Sequence, residues 1–191
     1  MSYDARNGEK PMSENSVPES RTVPASLREF AAGDESDLNV VAPWVGPAVD
    51  EETGRLKEPI RKRHLIATSV GWPKPGHEPA AIALNEAILA ELYVRPGLLA
   101  VTLAISENNF NSTRSLSIWE DEEALKGFLK SGPHIAAARR VKELMYDWEG
   151  ANWESEETLE LPTFDEAKAK LDAVRAPGPS GFESYDADRS A

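Results

Sequence analysis

Two hydrophobic periodicities alternate along the middle of this 191-residue chain. Arg63 to Trp72 (RHLIATSVGW) places His64, Ile66, Thr68, Val70 and Trp72 at every second position, which predicts a strand with those side chains on one face. Pro73-Lys74-Pro75-Gly76 stops it, and Pro79 falls where a first helical turn accepts proline, because an N–H there would have no intrahelical partner. Leu84, Ile88 and Leu92 recur every four residues and predict an amphipathic helix, which Arg95-Pro96-Gly97 ends. Leu99, Val101, Leu103 and Ile105 alternate in a second strand, closed by the polar cluster Glu107 to Ser112. Arg114 to Trp119 returns as a third strand, with Ser115 and Ser117 on one side and Leu116 and Ile118 on the other.

Glu120 to Glu123 then set four acidic residues ahead of Ala124 and Leu125, where the positive end of a helix dipole favours them. Leu125, Phe128 and Leu129 give that helix its buried side. Pro133 cannot donate a backbone hydrogen bond, so it predicts a fresh helix start, with Ala138, Val141, Met145 and Trp148 on one stripe and Gly150 as its end. Trp153 to Leu161 reads as a last strand, acidic enough to lie at a sheet edge, and Thr163 can cap a final helix from Phe164 to Val174. The order strand, helix, strand, strand, helix, strand predicts an α+β, ferredoxin-like βαββαβ fold. Such a sheet carries helices on one face only. A second copy is the simplest cover for the other, which predicts a homodimer.

Composition shifts at both ends. Residues 1–58 are rich in Pro, Ser, Asp and Glu, with apolar density only from Leu38 to Val49, and predict a low-order tail whose Trp44 region clips onto the domain. The alternative for Leu38 to Val49 is a docking motif for a partner. Residues 61–174 then form the domain and 175–191 a second tail. The balance of 21 Lys and Arg against 33 Asp and Glu gives a net charge of −12, which disfavours nucleic acid and anionic lipid as partners. With no Cys, disulfides, thiolate nucleophiles and Cys-ligated metals are excluded. No His stands at ligand spacing from Glu154, Glu156 or Glu157, so no metal site is expected, and no glycine-rich phosphate loop is present. Neither a signal peptide nor a membrane-length apolar run is visible, so a cytoplasmic location away from membranes is expected.

The stretch from Ser115 through Trp119, Glu120-Asp121-Glu122-Glu123 and Phe128 to His134 resembles the dimeric α/β-barrel superfamily. It is most similar to a bacterial family of unknown function related to antibiotic-biosynthesis monooxygenases. Leu161 to Leu171 resembles the same family after its last strand. The resemblance implies a dimeric α/β barrel with a pocket between sheet and helices in each subunit. Relatives use that pocket for cofactor-free oxygenation of aromatic polyketides, haem degradation, haem-dependent oxygenation of carotenoids or plain ligand binding. In the haem-degrading branch the iron-ligating His lies ten residues beyond the helix aromatic aligned with Phe128. That position here is Ala138, so haem ligation of that kind is not implied, while His134, one turn earlier, suits a different geometry. Sequence alone leaves the cofactor unassigned.

Of the three histidines, His134 stands at a helix start on an apolar stripe, where burial and the helix dipole favour the neutral imidazole needed by a general base. It is the candidate catalytic residue; the competing reading is a structural His that steadies the helix break. His64, beside Arg61, Lys62 and Arg63, is expected to face solvent, and His77 lies in a proline-rich loop that suits a lid. Trp119, Phe128, Trp148 and Trp153 could all line a cavity for a flat apolar ligand; Trp119 and Trp153, at strand ends, are the better candidates for substrate binding, joined by Phe128, while Phe128 and Trp148 also suit core, the favoured reading for both. Arg139 is the candidate for an acidic substrate group, unless that Arg pair serves Glu143 instead. These residues describe a small-molecule-handling protein, as an enzyme a monooxygenase-like oxidoreductase on an apolar aromatic or polyene substrate. The alternative is a non-catalytic ligand-binding or interaction domain.

Overall fold

The computed structural model describes residues 21–175; the tails expected over 1–20 and 176–191 lie outside them. Five antiparallel strands form one sheet in the order β1-β3-β4-β2-β5. The strands are β1 (Asn39–Val45), β2 (His64–Pro73), β3 (Leu98–Ser106), β4 (Ser112–Trp119) and β5 (Met145–Ser155). Helices α1 (Leu27–Ala31), α2 (Glu78–Tyr93), α3 (Glu122–Leu129), α4 (Gly132–Leu144) and α5 (Phe164–Arg175) complete the chain. From β2 to β5 the connectivity is the ferredoxin-like one read from the periodicity, and β1 adds a strand beside β3.

On one face, Leu65, Leu98, Val101 and Trp119 pack against Leu92, Leu125 and Phe128 of α2 and α3. The break between α3 and α4 follows its local chemistry. Asp121 caps α3 by accepting from the Ala124 N–H, the Ser131 hydroxyl accepts from the His134 N–H, and Pro133 sits in the first turn of α4. Gly97, at φ +81°, turns the chain into β3 where an added Cβ would stand 2.4 Å from the Ala124 methyl. Only glycine meets both demands.

The opposite face is where the structure departs most from expectation. Ile66, Ala100, Leu116 and Ile118 lie under Val49, Ile60 and Ala167, and Val70 and Trp72 lie under Phe30, Ala31 and Leu171. Residues 21–58, expected in a low-order tail, therefore build part of the core, and Leu38 to Val49 supplies β1, paired along β3 from Asn39 to Val45. Pro43 is accommodated because β1 is an edge strand, where a residue without an N–H is tolerated; the β1 register slips on both sides of Ala42. A second copy was expected to cover an open second face. In this chain that face is covered from within.

A second difference lies at β5, expected to begin at Trp153. It begins at Met145 and pairs with β2 down to His64↔Ser155. Met145 and Trp148, read as the end of a helical stripe, instead belong to the strand, because pairing along the full length of β2 outweighs a local helical period. Gly150 ends no helix; it sits within the strand, where a Cβ would lie 3.2 Å from the Thr68 carbonyl oxygen.

Phe30 tests whether the N-terminal segment is core. Its ring packs 5.4 Å from Trp72, 5.6 Å from Phe110 and 5.5 Å from Tyr146. Phe30→Ala should cost about 3–5 kcal/mol in denaturant unfolding, as for a core aromatic. A surface tail would lose almost nothing.

Candidate functional site

Between the sheet and the paired helices α2 and α4 lies a cavity of about 220 Å³. It exists because the facing positions of β2 and β4 are small. Ala67 pairs with Ser117, Ser69 with Ser115 and Gly71 with Thr113. Bulkier groups hold the helices off this floor: Trp119, Leu92 and Phe128 at one end, Leu144, Met145 and Trp148 at the other. The floor is therefore not filled from above.

The polar groups are few. The Ser69 and Ser115 hydroxyls bond each other at 2.7 Å, which leaves the pair one O–H to donate and lone pairs to accept with. Ser117 is spoken for: its oxygen accepts the Trp119 indole N–H at 2.9 Å and donates to the Ala67 carbonyl. Asn85 reaches the cavity from α2, and its amide has no hydrogen-bond partner among the described residues. His134 enters from α4, on the same face as Ala137, Ala138 and Val141. Among the described residues, no Asp, Glu, Lys or Arg lines the space.

The His134 ring meets Phe128 edge-on, with centroids 5.1 Å apart. Burial pushes its pKa below the ordinary value, because the cation loses hydration there; a hydrogen bond to the Leu129 backbone opposes this. The imidazole thus stays neutral and able to accept a proton at neutral pH.

The structure sorts the expected site residues into two groups. His134 and Phe128 line the cavity. Trp119 does not: it is fully buried, stacked on Phe128 at 5.3 Å, with its N–H satisfied by Ser117. Trp153 packs with the second-face cluster beneath Lys170, on the other side of the sheet. Arg139 is exposed and lies off the lining, and Arg140 is the arginine that pairs with Glu143. His64 is only 2 % exposed, not solvent-facing, held by the Lys62 carbonyl and the Thr158 hydroxyl. His77 sits at the N-cap of α2, outside the lining.

Trp148, read as core, is instead 41 % exposed and lines the cavity. Asn85, Ser69 and Ser115 were not named as binding residues. The only signal was for Ser115, in the run of small side chains on one side of β4, a hint of space beneath the helices.

Among the described residues, no group of three His, Asp or Glu is placed to hold a metal. The residues present do not fit the haem site of the haem-degrading branch: Ala138 faces the cavity at the ligand position and offers no donor, and no lining cation is available to propionates.

Comparison with known proteins bears on the same stretch. Residues 67–140, from β2 into α4, match the antibiotic biosynthesis monooxygenase family. Similar solved structures include SnoaB, a cofactor-independent oxygenase from Streptomyces nogalater, at 17 % identity and TM-score 0.43, covering 50 % of this chain and 96 % of that one. PA3566 from Pseudomonas aeruginosa is similar at 17 % identity and TM-score 0.46, covering 50 % and 97 %. Rv0793 from Mycobacterium tuberculosis is similar at 17 % identity and TM-score 0.42, covering 48 % and 92 %. No curated protein matches the chain. The resemblance carried by Ser115 to His134 thus holds: residues 67–140, which supply most of the cavity lining, match the antibiotic biosynthesis monooxygenase family, in the ferredoxin-like fold described above.

Proposed function

We propose that this protein is a monooxygenase-like enzyme that takes an uncharged, apolar, one- or two-ring substrate into the cavity beneath α2 and α4. The observation that carries the reading is a neutral His134 facing a pocket with no charged lining residue. A cavity of 150 Å³ accommodates benzene, so about 220 Å³ suits a slightly larger ring system and not a long polyene. An ionised ligand would lose its hydration there without a counter-charge. The Ser69–Ser115 pair and the Asn85 amide supply hydrogen bonds for a substrate carbonyl or hydroxyl.

In this scheme His134 accepts the proton of an activated CH₂ group. The resulting carbanion adds to dioxygen, the co-substrate, and the peroxide takes up a proton. Loss of the second C–H proton then expels hydroxide, so CH₂ and O₂ become C=O and H₂O. The carbon is oxidised, dioxygen is reduced, and no bound cofactor enters the sum.

1-Naphthol, whose keto tautomer has such a CH₂, is a suitable probe, with 1,4-naphthoquinone and water as products. His134→Ala should lower turnover about 10²–10⁴-fold while leaving affinity, read from Trp148 fluorescence, nearly unchanged. Full activity in that variant would reject the role. Because protonated His134 is inactive and its pKa is lowered, the acid limb of kcat/KM should fall below the ordinary histidine value of 6.5, so activity persists as pH drops past it. Ser115→Leu should fill the floor and abolish binding with little loss of stability. The scarcity of titratable groups in the cavity supports the second reading, a non-catalytic carrier. Saturable quenching of Trp148 without oxygen uptake would select it.

A further inference from the structure

We infer that residues 21–60 and α5 act as a built-in replacement for a partner subunit, so that a single chain is the complete functional unit. The inference does not depend on the oxygenase reading. It rests on the second face of the sheet, and on how specifically the chain's own flanks are held there.

The strongest attachment is ionic. Arg114, on β4, is 1 % exposed, and the side chain of Glu35, between α1 and β1, is 7 % exposed. The Arg114 Nε donates to both Glu35 carboxylate oxygens, at 2.9 and 3.0 Å, and Nη2 lies 2.7 Å away. Ser112 and Asn109 add hydrogen bonds to Glu35 at 3.1 and 3.2 Å, and Lys168 of α5 approaches to 3.7 Å. Were an apolar sheet laid on this face instead of the flanks, Arg114 would lose the hydrogen-bonded Glu35 carboxylate and keep only the electrostatic influence of Glu149 on β5.

The turn between β3 and β4 is shaped to the same purpose. Phe110 and Asn111 both adopt left-handed backbone conformations, at φ 55° and 53°, which non-glycine residues rarely do without compensation. The compensation is the strap: Phe110 packs on Phe30, and the Asn109 amide donates to the Phe30 carbonyl at 3.1 Å. Asp37 accepts from the Ser106 hydroxyl and the Asn108 N–H, and Arg21 donates to the Glu107 and Asn108 carbonyls. Among the described residues, no exposed large apolar side chain lies on the second face of β2, β3 or β4. The cavity, meanwhile, is lined entirely by residues between Ser69 and Trp148 of the one chain.

Sedimentation velocity of the full chain over a wide concentration range should give a single species of 20.9 kDa. A stable two-chain species would overturn the proposal. Glu35→Ala should speed amide hydrogen exchange across Leu27 to Val45 and produce concentration-dependent association that the parent lacks. Unchanged exchange and mass would equally overturn it. If that variant is too unstable to purify, the double variant Glu35→Leu with Arg114→Met removes both charges together and should retain the single-chain mass and the protection of Leu27 to Val45. Association of this double variant would count against the inference.

Discussion

The structure is governed by a sheet that is apolar on both faces and must be covered on both. β2 and β4 send Leu65 and Trp119 one way and Ile66, Leu116 and Ile118 the other. Water contact on either face would forfeit the burial that holds the strands together. Helices α2, α3 and α4 shield the first face. On the second, α1, Val49 to Ile60 beyond β1, and α5 converge, and a buried arginine is matched to a carboxylate carried by the N-terminal segment. Residues of the one chain thus cover both faces, with the cavity on the helix side.

The cavity is a consequence of how unevenly the helix face is filled. Large side chains at the two ends of the floor keep α2 and α4 apart from the sheet, while serine, threonine and glycine between them leave space. Its chemistry follows from what surrounds it. Apolar walls desolvate His134 and favour its neutral form, and the same walls make an ionic ligand a poor fit. One arrangement of side chains therefore sets both the protonation of His134 and the polarity of what the cavity can admit.

Much of the fold and part of the site were legible from local pattern. The alternation of Ser115 and Ser117 with Leu116 and Ile118 identified the two faces of β4, and Pro133 marked the start of α4. The place of His134 in the first turn of α4 was legible because the proline-marked helix start is local. The aromatic residues were harder. Trp119 and Trp153 were assigned from their places at strand ends, yet the face and depth of a side chain at a strand end depend on what packs over it. Trp119 is roofed by Phe128, and Trp153 turns to the side held by α5. Trp148 has a helical spacing from Val141 but pairs with Gly71 in the sheet, which brings it to the cavity.

By itself the amino-acid sequence determined the order and type of the central elements, the helix caps and the histidine at the start of α4, because these rest on periods, turns and hydrogen bonds that span a few residues. Tertiary structure alone decided that the acidic, proline-containing N-terminal segment belongs to the core, that β5 begins at Met145, and which small side chains meet across strands to open a cavity. Those outcomes depend on contacts between residues far apart in the chain, such as Glu35 with Arg114 and Ser69 with Ser115. Their energies have no local signature in a sequence.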